Sequence, residues 1–212
     1  PEGLPAILTV ILAIGVKRMA GRRAIVIRLS SVETLGSASV IGSDKTGTLT
    51  KNEMTIQRVV THSGEVTIEG IGYRPEGAIS TGGTLLTEGP LFDEVPVVLD
   101  GGSLANDAAL SNDHGEWKIQ GDPTEAAFLV AQRKIGTSAE TAKRFTRRGE
   151  IPFSSERKLM TTFEADAKRD GSIVVITKGA PRVLLGRWTR ERVGTEEEPL
   201  TDESRSRILA AI

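Results

Sequence analysis

The stretch Gly42-Ser43-Asp44-Lys45-Thr46-Gly47-Thr48-Leu49-Thr50 stands directly after an apolar run at 38–41. The pattern predicts short strands over 24–27 and 38–41, joined by a polar connection or short helix over 31–35. In open α/β sheets, chemistry gathers just beyond the carboxyl ends of strands. A carboxylate at that point, followed by Lys, Gly and hydroxyl residues, fits a phosphoryl-acceptor site. Asp44 can act as a nucleophile at phosphorus, with Lys45 and Mg²⁺ offsetting charge on the transferred group. Gly47 lets the backbone approach a phosphate closely, and Thr46 and Thr48 supply donors. The same residues also compose an ordinary strand-to-loop turn with an Asx cap.

At 212 residues the chain has the length of one or two domains and can bury a core. Hydrophobic residues at 38% and charged residues at 26% exclude a disordered tail and an ordinary multispanning membrane protein. Lys plus Arg number 27 against 28 for Asp plus Glu, a net charge of -1. Phosphate backbones reward clustered positive charge, so no nucleic-acid partner is expected. The absence of cysteine excludes disulfides, thiolate metal sites and a Cys nucleophile within this sequence.

Upstream, residues 4–16 are uncharged and mostly apolar. As a helix they would be about 20 Å long, against a bilayer core of about 30 Å. The run reads either as a buried helix or as the cytoplasmic half of a membrane helix with Lys17, Arg18, Arg22 and Arg23 at its inner end. Pro1 and Pro5 would break such a helix, and Glu2 between them is costly in lipid unless it holds a cation. A signal peptide has its positive charge before the apolar stretch, the reverse of this order. The opening at Pro1 and the stop inside a predicted helix, 202–212, suggest a piece of a longer protein.

Beyond Thr55 the texture changes. Residues 56–61 and 65–69 read as a hairpin about His62-Ser63-Gly64. A loop is expected over 73–90, a helix within 99–111 and a strand over 117–120. Asp122-Pro123-Thr124-Glu125 starts a helix, with Asp as N-cap, Pro first and Glu three after the cap, and Gly136 stops it. Strands over 158–166 and 172–178 flank Arg169-Asp170-Gly171, a hairpin signal. Pro181 opens a helix to about 188, and 190–199 reads as a charged linker. His62 and His114 read as surface residues.

Taken whole, Asp44-Lys45-Thr46-Gly47-Thr48-Leu49-Thr50 resembles the phosphorylation signature of P-type ATPases. Pro1-Glu2-Gly3-Leu4-Pro5 resembles the unwound ion-binding helix those pumps carry upstream. Val32-Glu33-Thr34-Leu35-Gly36 and Lys51-Asn52-Glu53-Met54-Thr55 look like the flanks of the signature. Gly121-Asp122-Pro123-Thr124-Glu125-Ala126-Ala127, Pro152-Phe153-Ser154-Ser155-Glu156-Arg157-Lys158 and Lys178-Gly179-Ala180 are similar to the family's nucleotide-binding motifs. The likeness is closest to calcium pumps of the sarcoplasmic-reticulum type and their bacterial relatives.

The resemblance implies a fold of α/β and α+β parts. These are a partial haloacid-dehalogenase-like phosphorylation domain and an antiparallel-sheet-and-helix nucleotide-binding domain, preceded by the end of a transmembrane helix. The corresponding spans are 23–55, 56–212 and 1–22. It implies Asp44, Lys45 and Thr46 as catalytic residues, Mg²⁺ at Asp44 and Thr46, and the transported cation, by likeness Ca²⁺, at Glu2. ATP would lie against Glu125, Phe153, Ser155, Lys158, Lys178 and Gly179, with adenine stacked on Phe153, a contact worth about 1–3 kcal/mol. Taken singly, Phe153 reads first as a core residue beside Ile151, Glu125 as part of a capping box, a role compatible with binding, and Lys178 as a solvent lysine at a strand end. The implied setting is a multi-pass bacterial plasma-membrane protein, cytoplasmic from about residue 17, working with further pump domains. Its transported ion could also be Mn²⁺ or Na⁺. An aspartate-nucleophile phosphatase and a nucleotide-binding module without chemistry are the readings from other classes.

Two departures carry meaning. Related phosphatases often place a second Asp two residues after the nucleophile, as general acid and base; here that position is Thr46. Without that carboxylate the aspartyl-phosphate should persist, as a pump needs and a phosphatase does not. Gly42 stands where calcium pumps commonly have Cys. The family's Gly-Asp-Gly-x-Asn-Asp and Thr-Gly-Glu segments do not occur in this sequence.

Overall fold

In the computed structural model, which describes residues 3–212, the chain divides between Lys51 and Asn52 into two units. The first begins with helix α1, Leu4–Gly21, which outruns the apolar stretch that starts it. Pro5 does not break it. It lies in the first turn, where a missing N–H is harmless, and the Gly3 carbonyl accepts the Ile7 N–H at 3.1 Å. Pro1 and Glu2 lie outside the described residues. The 18 residues of α1 have a mean hydropathy of 1.6 and none is buried, so the helix is long and apolar enough to cross a membrane. Helix α2, Ser30–Gly36, realises the short helix expected there, with Val32 beside Gly15 of α1.

Neither 24–27 nor 38–41 forms a strand. A strand needs partners for its N–H and C=O groups, and none of the described residues pairs with these segments. Ile25, Ile27, Val40 and Ile41 are each at least 83% exposed.

The second unit is built of antiparallel strands and helices. Strands β1 (Arg58–Thr61), β2 (Gly64–Ile68), β3 (Ile79–Thr81) and β4 (Thr84–Leu85) form one meander, in that order. The expected hairpin is present, registered from Arg58↔Thr67 to Thr61↔Gly64, while the expected loop over 73–90 contains β3 and β4. Helix α3, Pro90–Leu104, covers this sheet, with Leu91, Val95 and Leu99 meeting Val59, Val66 and Ile68 in the core. Its Leu, Val and Leu recur at i, i+4 and i+8, one face of a helix. The helix expected within 99–111 is thus displaced toward the N-terminus. Pro90 opens it and the chain leaves helical geometry at Ala105.

Strands β5 (Ala109–Asp113) and β6 (Glu116–Gln120) form a hairpin leading into helix α4, Pro123–Ile135. Helix α5, Ser138–Arg144, then feeds β7, Phe145–Ser154, which with β8, Leu159–Asp166, and β9, Ser172–Gly179, makes a three-stranded sheet ordered β7-β8-β9. The β8–β9 register is unbroken from Leu159↔Gly179 to Asp166↔Ser172. Helix α6, Pro181–Leu185, is shorter than expected. The supposed linker is a hairpin, β10 (Arg190–Val193) with β11 (Glu196–Pro199), and α7 spans Asp202–Ala211. His114 is fully exposed, but His62 is not a free surface residue: its Nδ1 lies 2.9 Å from both Glu191 Oε2 and Arg207 Nη2.

Three buried carboxylates lock these parts together. Glu94 of α3 is 2% exposed. Its Oε2 accepts the Ser63 N–H at 3.1 Å, and its Oε1 accepts the Ser63 hydroxyl at 2.7 Å and the Gly194 N–H at 2.6 Å. Burial alone would raise its pKa, yet these bonds hold it below the usual value. On β8, Asp166 accepts a two-pronged bond from Arg144 at 2.8 and 2.7 Å, and Glu164 faces Arg147 at 3.4 Å. The Arg144 guanidinium, with the Lys168 N–H, lowers the Asp166 pKa from 3.8 to about 2.

Replacing Glu94 with Ala should destabilise the unit by about 1–3 kcal/mol for each backbone donor left unpaired. Urea unfolding reads this directly, and an unchanged midpoint would show that the bonds contribute nothing net. Because Asp166 has a lower pKa folded than unfolded, its contribution is fully present above 3.8 and is lost as pH falls through about 2. Stability measured across that window should therefore drop on acidification, and Asp166→Asn should remove that part of the slope.

Candidate functional site

Asp44 ends an extended segment (φ -70°, ψ 142°), and its Oδ1 accepts the Thr46 N–H at 3.4 Å. Lys45–Leu49 then make one wide turn, closed by the Thr50 N–H to the Lys45 carbonyl at 3.1 Å. Gly47 turns the corner at φ 74°, a conformation that a side chain would strain. The geometry is the Asx-capped turn the residue types allow. Asp44, Lys45 and Thr46 are all exposed, so a carboxylate, an ammonium and a hydroxyl are presented together from one loop.

The second unit gathers most of the other singled-out residues around a cavity of about 870 Å³. Its wall is apolar, from α3 (Val97, Val98), α4 (Phe128), β9 (Ile176) and the segment beyond Pro181 (Leu184, Trp188). Ligand pockets commonly have this size and this character, with a few polar groups that fix orientation.

Those polar groups come from the start of α4 and the end of β9. The Asp122 carboxylate caps α4, accepting the Thr124 N–H at 2.7 Å and the Glu125 N–H at 3.4 Å. Bonds from Thr124, foremost its hydroxyl, hold the Asp122 pKa below normal. Glu125 does not complete a capping box. Its Oε1 accepts Lys178 Nζ at 2.7 Å and its Oε2 the Asp107 N–H at 2.9 Å. Lys178 alternates with Ile176 along β9, so both point to the cavity side, and its ammonium lies 5.8 Å from the centre of the Phe128 ring. The pair is mostly buried, with Lys178 20% and Glu125 17% exposed, which excludes a solvent lysine.

Phe153 reaches the rim by a different device. Its strand, β7, is an edge strand, and the β7–β8 register shifts between Ile151 and Ser154, around Pro152. Pro cannot donate to a ladder and is tolerated there, and a register shift re-aims the side chains that follow. Phe153 lines the cavity while 57% exposed, so it is not a core residue beside Ile151. Gly179 also lines the cavity. Ser155 and Lys158 lie in the exposed β7–β8 turn, outside the lining, where Lys158 serves the fold by accepting the Ala180 N–H at 3.0 Å.

Sequence reasoning missed Phe128 and Gly102. Phe128 stands three residues after Glu125, one turn along the same helix face, and that spacing is the signal that could have found it. A Cβ at Gly102 would collide with the Phe128 ring, so the glycine is what lets α3 and α4 approach. The assembled site offers an exposed aromatic face, an apolar slot, a carboxylate acceptor and an ammonium. It suits a planar, amine-bearing ring attached to an anion. Among the described residues no group of three or more His, Asp or Glu side chains is placed to hold a metal ion.

Known proteins share this arrangement of sequence. The family model for the P-type ATPase cytoplasmic domain N matches residues 94–212. The chain is 45% identical over 197 residues to "Probable cation-transporting ATPase F" of Mycobacterium tuberculosis, covering 87% of this chain and 20% of that protein. It is 42% identical over 193 residues to the calcium-transporting ATPase of Bacillus subtilis, 90% of this chain and 21% of that protein. Against the mouse calcium-transporting ATPase type 2C member 2 it is 38% identical over 212 residues, 97% of this chain and 22% of the relative. The chain thus spans about a fifth of the length of these relatives. With such identity across most of the sequence, and an antiparallel-sheet-and-helix unit over the residues of the N domain, the chain belongs to the P-type ATPases.

Proposed function

We propose that this chain is the part of a cation pump that carries the phosphoryl-acceptor aspartate and most of the nucleotide-binding lobe. The observation that carries the reading is the cavity in which Glu125, Phe128, Phe153 and Lys178 converge. Adenine would stack on the exposed Phe153 face and enter the apolar slot, its exocyclic amine donating to Glu125. Lys178 would meet purine acceptors or the phosphate tail, and Gly179 leaves room beside it. Ser155 and Lys158, on the neighbouring turn, would reach the ligand only after a side-chain movement.

In this reading Asp44 attacks the γ-phosphorus and ADP leaves, with Lys45 offsetting charge on the phosphoryl group. The donor set at Asp44 and Thr46, hard oxygens on an exposed loop, suits Mg²⁺ in part, the remaining ligands being phosphate oxygens and water. When bound, the ion would supply further neutralisation of the transferred group. Thr46, in place of a second carboxylate, leaves water unactivated, so the acyl phosphate lasts long enough to be coupled to ion movement.

The proposed spans are 1–22 for a membrane helix end and stalk, 23–55 for the start of a haloacid-dehalogenase-like phosphorylation domain, and 56–212 for the nucleotide domain. Helix α1 supports the first by its length and hydropathy. The unpaired segments 24–27 and 38–41 would find their sheet partners in the rest of that domain. The transported cation would bind near Glu2. Calcium is favoured by the names of the Bacillus and mouse relatives and by the likeness of residues 1–5. The implied location is a multi-pass protein of a bacterial plasma membrane.

Calorimetric titration of the 212-residue chain with ATP tests the nucleotide site. Phe153→Ala should weaken binding by about 1–3 kcal/mol, the worth of one stacked base. Lys178→Ala should also weaken it, and binding indifferent to both substitutions would sink the assignment. In a protein of the relatives' full length, ATP should label an acid-stable, hydroxylamine-sensitive phosphoenzyme that Asp44→Asn abolishes. Labelling that survives this change would place the acceptor elsewhere.

A further inference from the structure

Arg147 of β7 is not part of the cavity wall, yet its guanidinium makes more polar contacts than any group at the site. Its Nη1 donates to Asp107 at 2.8 Å and Glu150 at 2.9 Å. Its Nε faces the buried Glu164 at 3.4 Å, and its Nη2 donates to the carbonyls of Leu104 and, at 2.8 Å, Asn106. Leu104 ends α3, and 105–108 is the loop that carries the chain to β5. Two carbonyls and one carboxylate of that single segment are therefore gripped by one planar fork.

The same segment holds Glu125. Asp107 donates its N–H to Glu125 Oε2 at 2.9 Å. The Asn106 side-chain amide donates to the Glu125 carbonyl at 2.7 Å, while its oxygen accepts the Ala108 N–H at 2.8 Å. The contacts run without a gap from Arg147 through 104–107 to the Glu125 carboxylate and on to Lys178.

We propose that Arg147 is a positioning residue for base recognition, holding the 104–107 segment so that Asp107 aims the Glu125 carboxylate at the exocyclic amine of the nucleotide's purine. This rests on the reading of Glu125 as the acceptor for that amine. Arg is suited to the task because its five donors lie in one rigid plane. A Lys at 147 reaches one or two of the partners but cannot fork across them.

Nucleotide discrimination tests this, because ITP carries a ring carbonyl where ATP carries the amine. The 212-residue chain is titrated with each nucleotide by calorimetry as wild type, Glu125→Ala, Arg147→Met, Arg147→Lys and the double variant Glu125→Ala with Arg147→Met. Each is measured below its own melting transition. Loss of a hydrogen bond to a charged acceptor should lower the ATP-over-ITP preference about tenfold or more in Glu125→Ala. Arg147→Met should lower it about 3–10-fold, and Arg147→Lys by less. In the Glu125→Ala background, Arg147→Met should change the preference by less than about twofold, because the two act along one path.

A purely structural role for Arg147 would weaken ATP and ITP alike. An unchanged preference in the folded Arg147 variants overturns the proposal, and Arg147→Lys alone decides it should Arg147→Met fail to fold. An unchanged preference in Glu125→Ala, or no binding of either nucleotide by the wild-type chain, overturns instead the reading on which it rests.

Discussion

The middle strand of a three-stranded sheet cannot carry carboxylates on its covered face without cations to meet them, and β8 carries two. Glu164 is 1% exposed and Asp166 not at all. An unpaired charge in that position is among the costliest things a fold can bury. The arginines that answer, Arg144 and Arg147, come from the end of α5 and the start of β7. Meeting them fixes where β7 runs along β8. The unbroken β8–β9 register then sets Lys178 opposite Met160, on the face where β8 turns Thr162, Glu164 and Asp166 inward. The position of the lysine at the cavity thus follows from the β8–β9 register, on the same face of β8 that the two arginines meet.

The cavity itself expresses a second constraint, that two helices approach closely enough to share one aromatic ring. Phe128 fills the space that Gly102 leaves, and Lys178 lies against the ring it presents. Apolar walls and one tightly paired acid and base produce a site that excludes water from a ring but still offers directional polar contacts. The ion pair is short and largely shielded, so each partner keeps the other from being an orphaned charge.

Much of this was legible in the chain. The β8–β9 hairpin, the capped start of α4, the β1–β2 hairpin and α7 all rest on local signals: alternation, turn residues and an N-cap. Glu125, Phe153, Lys178 and Gly179 were found by their motifs and do line one cavity. What escaped were elements whose reason is distant. Strand β7 holds Arg147, Arg148, Gly149 and Pro152, none of them strand formers, and exists because Arg147 meets Glu164 and β8 offers a ladder. Strands β10 and β11 hide in a charged run because pairs such as Arg190 with Glu197 form only across the hairpin. Helix α3 was misplaced because Pro90 fell within the loop expected over 73–90, when it opens the helix, and because the face of Leu91, Val95 and Leu99 gains its meaning only from the sheet it covers. In the first unit the apolar segments at 24–27 and 38–41 have the pattern of strands but no ladder among the described residues.

The Glu94 carboxylate joins donors 31 and 100 residues away in the chain, at Ser63 and Gly194. Closing a loop costs entropy that grows with its length, and long-range contacts reward the chain only after the intervening residues are in place. Glu94 can therefore make its full set of bonds only in a nearly finished unit. Its burial is offset in full only when both of these chain-distant donors are in place. Losing that carboxylate would leave donors unpaired in the β1–β2 turn and the β10–β11 turn together, so two hairpins far apart in sequence depend on one side chain.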